Sequence, residues 1–493
     1  MQSVPFWLAC TPVALLVALL LGCVYLFGDD TTSGPGQVAL MLSGFLAALI
    51  ALASRQARWS DLEAQVLRTT GFVTQAILIL LLVGGLIGTW ILGGIVPTLI
   101  VWGLKLIAPE VFLLAALGMS ALVSLATGSS WSTAGTLGLA LVGVGNAMQI
   151  DPAMTEGAVS SGAYFGDKMS PFSETTNLAS SMVAVDLFEH IRHMLATTVP
   201  GFVLAAVVFL VLGLGLDAPA AFEPDRIQNV IVGIESIFDT SLAMLLPPLI
   251  LFVLVARRMP AIPALMIALL LGVVFALLFQ SEAVRLFVGA GADANEGPGW
   301  QPFIRAAGNA AATGYVSNSG VESVDWLLSR GGMASMLNTV WLILSAMFFS
   351  GIMEGSGFLQ RIAAGVLSYA RGAGHLIAAT LGTAGFLNFS ASDQYLSLVV
   401  TGRMYREAYA REGLDPKNLS RALEDGGTLS SALIPWNTCG AFMASTLGVA
   451  TLSYLPYAVL NWSVPLSSLG YAYTGFTIAR GPAAAAVSDP DGE

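Results

Sequence analysis

The sequence predicts an all-α polytopic membrane protein, with about 11 to 13 helical elements arranged as two inverted repeats around broken helices. Three observations carry that prediction: a composition too apolar for a soluble domain, apolar runs of membrane-spanning length, and a self-similarity between two parts of the chain. Of 493 residues, 56% are hydrophobic and 10% charged, with mean hydropathy +0.77, where soluble domains carry roughly 25% charged residues. The apolar runs are Phe6 to Phe27, Val38 to Ala53, Phe72 to Ile91, Val111 to Ala126, Leu195 to Leu216, Leu242 to Val255, Ala261 to Phe279, Met336 to Ile352 and Leu452 to Phe476. Each is close to the roughly 20 residues a helix needs to cross the hydrocarbon, and a helix satisfies every backbone polar group within the segment.

Residues 1–60 read as N-terminal spans. The first run has no Lys or Arg before it and no small-residue cleavage site after it, so it is expected to be retained rather than removed as a signal peptide. Residues 61–190 and 320–476 are the expected repeats. Residues 191–319 are connecting helices with an acidic loop at Glu282 to Gly299, Arg305 to Ser329 reads as partly extramembrane or as lying against the interface, and 477–493 as a disordered tail. Ile95 to Ile107 and Phe358 to Tyr369 are too short or too polar to assign from hydropathy. The loop "GDDTTSGPG" carries no basic residue, whereas "SRQARW", "VARRM" and the stretch Arg403 to Arg421 do. The positive-inside rule therefore places the basic loops in the cytoplasm, so the first span is expected to run in to out. The net charge of -11 and the lack of a basic stripe argue against a nucleic-acid partner, and Cys10, Cys23 and Cys439 match no disulfide or metal spacing.

Sliding the chain by 264 positions brings Asp151-Pro152 onto Asp415-Pro416, Ala158 onto Ala422, Gly162 onto Gly426 and Pro171 onto Pro435. Gly118 meets Gly382, Gly138 meets Gly402, and "GSSW" at 128–131 meets "SDQY" at 392–395. These are residues that start or break helices: Asp-Pro opens one, and a mid-module proline removes a helical hydrogen bond and leaves carbonyls unengaged. The connection before Asp415 is rich in Arg and its counterpart "GNAMQIDPAMTEG" has no Lys or Arg, which is the asymmetry that inverted repeats require.

Ionisable residues among membrane helices mark candidate functional sites. "GDKMSPFSETTN" places Asp167 and Lys168 before Pro171, then Ser173, Glu174, Thr175, Thr176 and Asn177. Pro171 disfavours helix at Ser170, so a discontinuous helix with oxygen-bearing side chains beside it is expected, and such oxygens are hard-cation ligands. The second module offers Glu424 and Asp425, then Pro435, Asn437 and Thr438, with Asn388, Asp393 and Gln394 in "NFSASDQY" opposite Ser129 and Ser130. Desolvation favours the neutral carboxyl and a bound cation the ionised one, so a proton and a sodium ion compete for the same oxygens. Blander readings stand beside these. Asp167 is also readable as the partner of Lys168, the hydroxyls as bonded to carbonyls a turn earlier, Glu424 and Asp425 as a solvated helix end, and His190, Arg192 and His193 as interfacial anchors.

These same residues carry a family likeness. "GDKMSPFSETTN" resembles the G-D-K-x-S-P-x-S-D-T-T-N pattern of NhaC-type sodium/proton antiporters, and "DQYLSLVVTGRMY", "NLSRALEDGGTLSSALIPWNTCGAFM" and "LPYAVLN" are similar to motifs of the family's C-terminal half. The resemblance runs from about residue 60 to 475. It implies the fold of the ion transporter superfamily, in which "GSSW" and "SASDQ" correspond to re-entrant hairpin tips and the Pro171 and Pro435 regions to helix breaks, with homodimers common. Glu174 departs from the pattern, standing where the family usually has Asp, and its extra methylene puts ion selectivity and stoichiometry in question.

The expected function is secondary active exchange of sodium for protons across the membrane by alternating access, with no cofactor beyond the transported Na+ and H+. The alternative is a sodium- or proton-coupled exchanger of small carboxylates or amino acids, with Ser129 and Ser130 at a helix N-terminus holding a substrate carboxylate. Asp167, Glu174, Asp393 and Asp425 are the expected proton and cation carboxylates, and Lys168 their charge partner. Ser129, Ser130, Ser173, Thr175, Asn177, Gln394, Asn437 and Thr438 are expected ligands, and Ser173, Glu174, Asn177 and Asp393 the sodium ligands among them. Partners are the lipid bilayer and a small cation or small-molecule substrate. An enzyme is disfavoured: His190, His193 and His375 form no H-E-x-x-H site, and no phosphate-binding loop or G-x-S-x-G elbow occurs.

Overall fold

The computed structural model describes residues 4–215, 224–257, 259–289 and 300–481. Among them the chain is helical, with no strand beyond one isolated bridge between Leu414 and Arg480. Two apolar helices, α1 (Phe6–Phe27) and α2 (Pro35–Ala53), lead into α3 (Trp59–Leu92) and α4 (Ile95–Leu106). The first site-bearing module follows: α5 (Pro109–Thr127), α6 (residues 130–147, interrupted by a π turn at Ala134–Gly138), α7 (Pro152–Met169), α8 (Glu174–Met182) and α9 (Leu187–Leu214). The connecting region holds α10 (Pro224–Glu235), α11 (Leu246–Ala256), α12 (Ala261–Phe279), α13 (Ser281–Gly289), α14 (Gln301–Ala312) and α15 (Glu322–Leu328). Then come α16 (Leu337–Gly355), α17 (Phe358–Ser368), α18 (Gly372–Ser390), α19 (Gln394–Arg411), α20 (residues 416–431, with a π turn at Glu424–Thr428), α21 (Thr438–Leu447) and, after a short turn, α22 (Val459–Thr474).

Seven of the described helices are long and apolar enough to cross a membrane, and an eighth span is available if Thr438–Leu447 and Thr451–Tyr457, bent by 92°, count as one. The protein is thus an all-α, multi-pass membrane protein. Trp7, Leu21, Phe72, Leu122, Val211 and Leu278 are all more than half exposed on these helices, a pattern that suits contact with lipid tails and would be a liability in water.

Helix boundaries follow local chemistry. Ser170, before Pro171, is extended at φ -79°, ψ 131°, and α7 stops there, because proline bars the α region to the residue before it. Gly128 ends α5 at φ 72°, and a Cβ there would run into the Phe172 backbone. Gly162 and Gly166 of α7 lie against Leu117, Ser120, Ser124 and Leu125 of α5, leaving no room for a side chain on either glycine. The Ser124 hydroxyl donates to the Ala163 carbonyl at 2.5 Å, the close backbone approach that small residues permit between membrane helices. Side-chain caps stand 264 residues apart: Ser129 and Asp393, Asp151 and Asp415, Ser173 and Asn437 each accept a backbone N–H of the helix that they open.

Some expectations are corrected. Glu282 does not begin a loop, since Ser281–Gly289 is helical; residues 290–299 and 482–493 lie outside the described residues. The apolar run from Leu452 to Phe476 is not one helix, because a 3-10 turn at Leu455–Tyr457, carrying Pro456, separates Thr451–Tyr454 from α22.

Candidate functional site

A cavity of about 950 Å³ opens where the two modules meet. The N-termini of α6, α8, α19 and α21 converge on it, contributing Ser129 and Ser130, Glu174 and Thr175, Asp393 and Gln394, and Thr438 to its wall. Helix N-termini present unsatisfied N–H groups and the positive end of the dipole. Here each is capped from within the chain, and the acids Asp167, Glu174 and Asp393 line the same space. No Lys, Arg or His stands among the described lining residues.

Asp167 is the hub. One carboxylate oxygen accepts the Ser130 hydroxyl at 2.6 Å and the Ser130 N–H at 3.3 Å, and the other accepts the Ser173 hydroxyl at 2.6 Å. Ser173 also lies 3.0 Å from the Thr175 hydroxyl. The Thr176 hydroxyl takes up the carbonyls of Asp167 and Lys168, at 3.3 and 3.0 Å, and Asn177 donates to those of Pro171 and Ser173, at 2.9 and 2.6 Å. The break is therefore held by its own side chains. Across the cavity, Asp393 accepts the Leu396 N–H at 3.0 Å and the Thr438 hydroxyl at 3.3 Å. Glu174 is exposed towards the cavity and accepts the Tyr395 hydroxyl at 2.8 Å.

Lys168 does not pair with Asp167. A step of one residue turns about 100° around a helix, so Asp167 faces the cavity while Lys168 faces α20. There Lys168 forms an ion pair with Asp425, both side chains being fully buried. The same Asp425 oxygen accepts the Thr197 hydroxyl from α9 at 3.2 Å. Glu424 is fully buried beside them and makes no hydrogen bond. Both acids sit in the π turn Glu424–Thr428, a helix irregularity common at functional sites.

The cavity thus gathers Asp167, Glu174, Asp393, Ser129, Ser130, Thr175, Asn177, Gln394, Thr438 and Pro171, with Ser173 bonded directly behind Asp167. It does not gather Asp425, Lys168, Asn437 or Pro435. Asn437 caps α21 and donates to the Asn388 carbonyl at 3.0 Å, and Pro435 borders a separate, smaller cavity. His190 is not an interfacial anchor: it is fully buried and neither ring nitrogen has a partner, because Asp186 caps α9 one turn earlier and turns His190 inward towards Lys168. The sequence offers Glu424 both as a site acid and as a solvated helix end, and the second reading is corrected by its full burial; Glu156, fully buried in α7, drew no expectation. The signal for both was an acid inside an apolar, glycine-rich module.

Residues 162–476 match the sequence profile of the Na+/H+ antiporter family. The chain is similar to the Na(+)/H(+) antiporter NhaC of Alkalihalophilus pseudofirmus, with 38% identity over 86% of this chain and 87% of that one. It is also similar to the malate-2H(+)/Na(+)-lactate antiporter of Bacillus subtilis, at 37% identity over 90% of both chains. The arginine/ornithine antiporter ArcD of Halobacterium salinarum is 33% identical over 96% of this chain and 92% of its own. With the motifs, the helical architecture and these likenesses in agreement, the chain is an NhaC-type member of the Na+/H+ antiporter family.

Proposed function

We propose that the protein exchanges sodium for protons by alternating access, with Asp167 as the carboxylate for which the two ions compete. The observation that carries this reading is a cavity walled by three acids and, among its described residues, no basic side chain, an environment that attracts a cation. The Ser130 and Ser173 hydroxyls donate to Asp167 in this structure. A hydroxyl is a rotor with two acceptor lone pairs, so the same groups can turn those lone pairs to a sodium ion held by Asp167, with Thr175 beside them. A proton on Asp167 removes the charge that holds the ion. On this reading the two modules are repeats of opposite topology in a bacterial inner membrane, supported by caps that recur 264 residues apart (129 to 393, 151 to 415, 173 to 437) and by the uneven basic charge of their connections. The homodimer is proposed on family likeness alone.

A second reading, exchange of small carboxylates or amino acids coupled to sodium or protons, is favoured by the size of the cavity. About 950 Å³ lies in the range of small-molecule pockets, and relatives that exchange malate for lactate or arginine for ornithine share the architecture's length. Purified protein in proteoliposomes separates the two. Sodium added without organic solute is expected to drive a saturable proton flux. Flux that starts only when malate, lactate or an amino acid is supplied would overturn sodium/proton exchange in favour of the second reading.

A further inference from the structure

Helix α7 carries polar chemistry that the cation cavity does not use. Glu156 is fully buried, and neither of its carboxylate oxygens makes a hydrogen bond. Four and eight residues further on, the Ser160 and Tyr164 hydroxyls are also buried without a partner. At 100° per residue, positions 156, 160, 164 and 167 fall within an arc of about 80°, so these groups and Asp167 share one stripe of the helix. Orphaned buried polar atoms are rare, each costing roughly 1–3 kcal/mol. Four of them in line on one membrane helix call for a function.

The two ends of the stripe lead to different places. Asp151 and Pro152, where α7 begins, line a second cavity of about 840 Å³. At the other end, Tyr164 has Ser431 and Cys439 as polar neighbours. The Ser431 hydroxyl donates to Gln394 at 3.4 Å, and Gln394 and Asp167 both line the cation cavity. The separation of Asp151 from Asp167 is about 24 Å at 1.5 Å per residue.

We propose that this stripe is a proton route between the Asp151 end of α7 and the cation cavity, with Glu156 as the group that takes up and releases the proton near that end. The proposal rests on the sodium/proton reading above. Glu156 passes its carboxyl proton through bridging water to a lone pair of the Tyr164 oxygen, Tyr164 gives up its own proton through water to an Asp167 carboxylate oxygen as sodium leaves it, and Glu156 is reprotonated from the second cavity. One proton moves, every O–H is regenerated, and no oxidant or reductant is required. No hydrogen bond joins Glu156, Ser160 and Tyr164 to one another here, so the route is interrupted in this conformation. An interrupted route prevents a leak past the site, and the rearrangement that reorients the site is what connects it.

The test uses the whole protein in proteoliposomes and reads two rates: exchange of labelled for unlabelled sodium, which needs no proton, and sodium-driven proton flux. Glu156→Gln preserves shape and removes the titrating group, so sodium self-exchange is expected within about twofold of wild type while proton flux falls at least tenfold. Glu156→Asp is expected to recover part of that flux. Tyr164→Phe deletes only a hydroxyl that makes no hydrogen bond, and should likewise slow proton flux alone, which keeps the test decisive if E156Q does not assemble. Wild-type proton flux in E156Q or in Y164F overturns the route, as does equal loss of both rates in an assembled E156Q. Absence of sodium-driven proton flux in the wild type takes down the exchange reading and the route with it, whereas flux in the wild type that the substitutions leave untouched takes down the route alone.

Discussion

Replacing Lys168 with Met tests whether the buried ion pair holds the two modules together. Lys168 lies on α7 and Asp425 on α20, both with fully buried side chains, and the remaining donor to Asp425 is the Thr197 hydroxyl at 3.2 Å. Met reproduces the unbranched stem, so the substitution removes charge with little loss of packing. It leaves Asp425 and the neighbouring Glu424 in the interior without an ion-pair partner, the nearest remaining cation being the buried Arg421 one turn earlier, which is bonded to Thr477. Removing one partner of a buried pair costs about 3–5 kcal/mol, because the surviving charge keeps its desolvation penalty. The double variant K168M/D425N removes that charge as well. The side-chain amide that D425N introduces keeps a carbonyl oxygen to accept the Thr197 hydroxyl, so the double variant is expected to regain about 2 kcal/mol or more of what K168M loses, a coupling typical of residues in direct contact. Unfolding of detergent-solubilised wild type and of D425N, K168M and the double variant, titrated with denaturant, closes the cycle. A K168M protein as stable as wild type, or losses that simply add in the double variant, would refute this account of the pair.

Three further substitutions follow from the geometry. Asp167→Asn keeps the side chain's shape but removes its charge and one acceptor; with a charge-assisted contact worth about 3 kcal/mol, sodium affinity measured by isotope binding is expected to fall about a hundredfold, with assembly intact by size-exclusion chromatography. Gly166→Ala places a methyl against Ser124 and Leu125 of α5 and is expected to destabilise by about 1–3 kcal/mol, as overpacking does, read as a lowered thermal midpoint. Asp325, outside the spans, is raised by partial burial, but the Ser319 N–H at 2.6 Å and the Ser317 hydroxyl at 2.8 Å outweigh that and hold its carboxyl below the ordinary value of 3.8. A depressed carboxyl stabilises the fold above its ordinary value and loses that contribution as pH falls through the folded-state value. Protection factors from hydrogen exchange across residues 315–329 should therefore drop in acid in the wild type, and the drop should be absent in D325N.

The residues that govern the backbone were the most legible in the sequence. Pro171, Gly128 and the Asp151-Pro152 pair act through local sterics and capping, which depend on neighbours along the chain, so their effects could be read before any packing was known. The hydroxyl and amide residues around Pro171 were legible for the same reason: Ser173, Thr175 and Asn177 lie close to a break whose position was already set, whereas Ser130 was found through the 264-residue self-similarity. What could not be read was direction around a helix. Asp167 and Lys168 are adjacent in the chain, and only the packing of α7 against α5, α9 and α20 decides that one faces a cavity and the other a buried acid. Asp425 was expected beside Asp167 for want of that information, and His190 at the membrane interface because it opens a span together with Arg192 and His193. Glu156 and Glu424 were open to detection, since an acid amid apolar residues is a signal in itself. Their lack of hydrogen-bond partners is a three-dimensional fact.

The adjacency of Asp167 and Lys168 also bears on why such a site would exchange ions rather than release them singly. On the proposed mechanism Asp167 is neutral overall whether it carries a proton or holds a sodium ion, and anionic only when empty. Lys168 is already taken up by Asp425, and no Lys, Arg or His stands among the described residues lining the cavity beside Asp167, so an empty Asp167 is a charge with no counter-ion at hand. Reorienting the empty site would carry that charge through the membrane interior, whereas either loaded form avoids the cost. The two loaded forms are electrically alike, so each can cross and the empty form cannot keep pace. Exchange then needs no additional gate: it follows from one carboxylate, two competing cations and a surrounding that does not tolerate the bare acid. The consequence is measurable, because sodium efflux into sodium-free medium at high pH, where no proton is on hand for the return step, must be slower than efflux into medium that contains sodium.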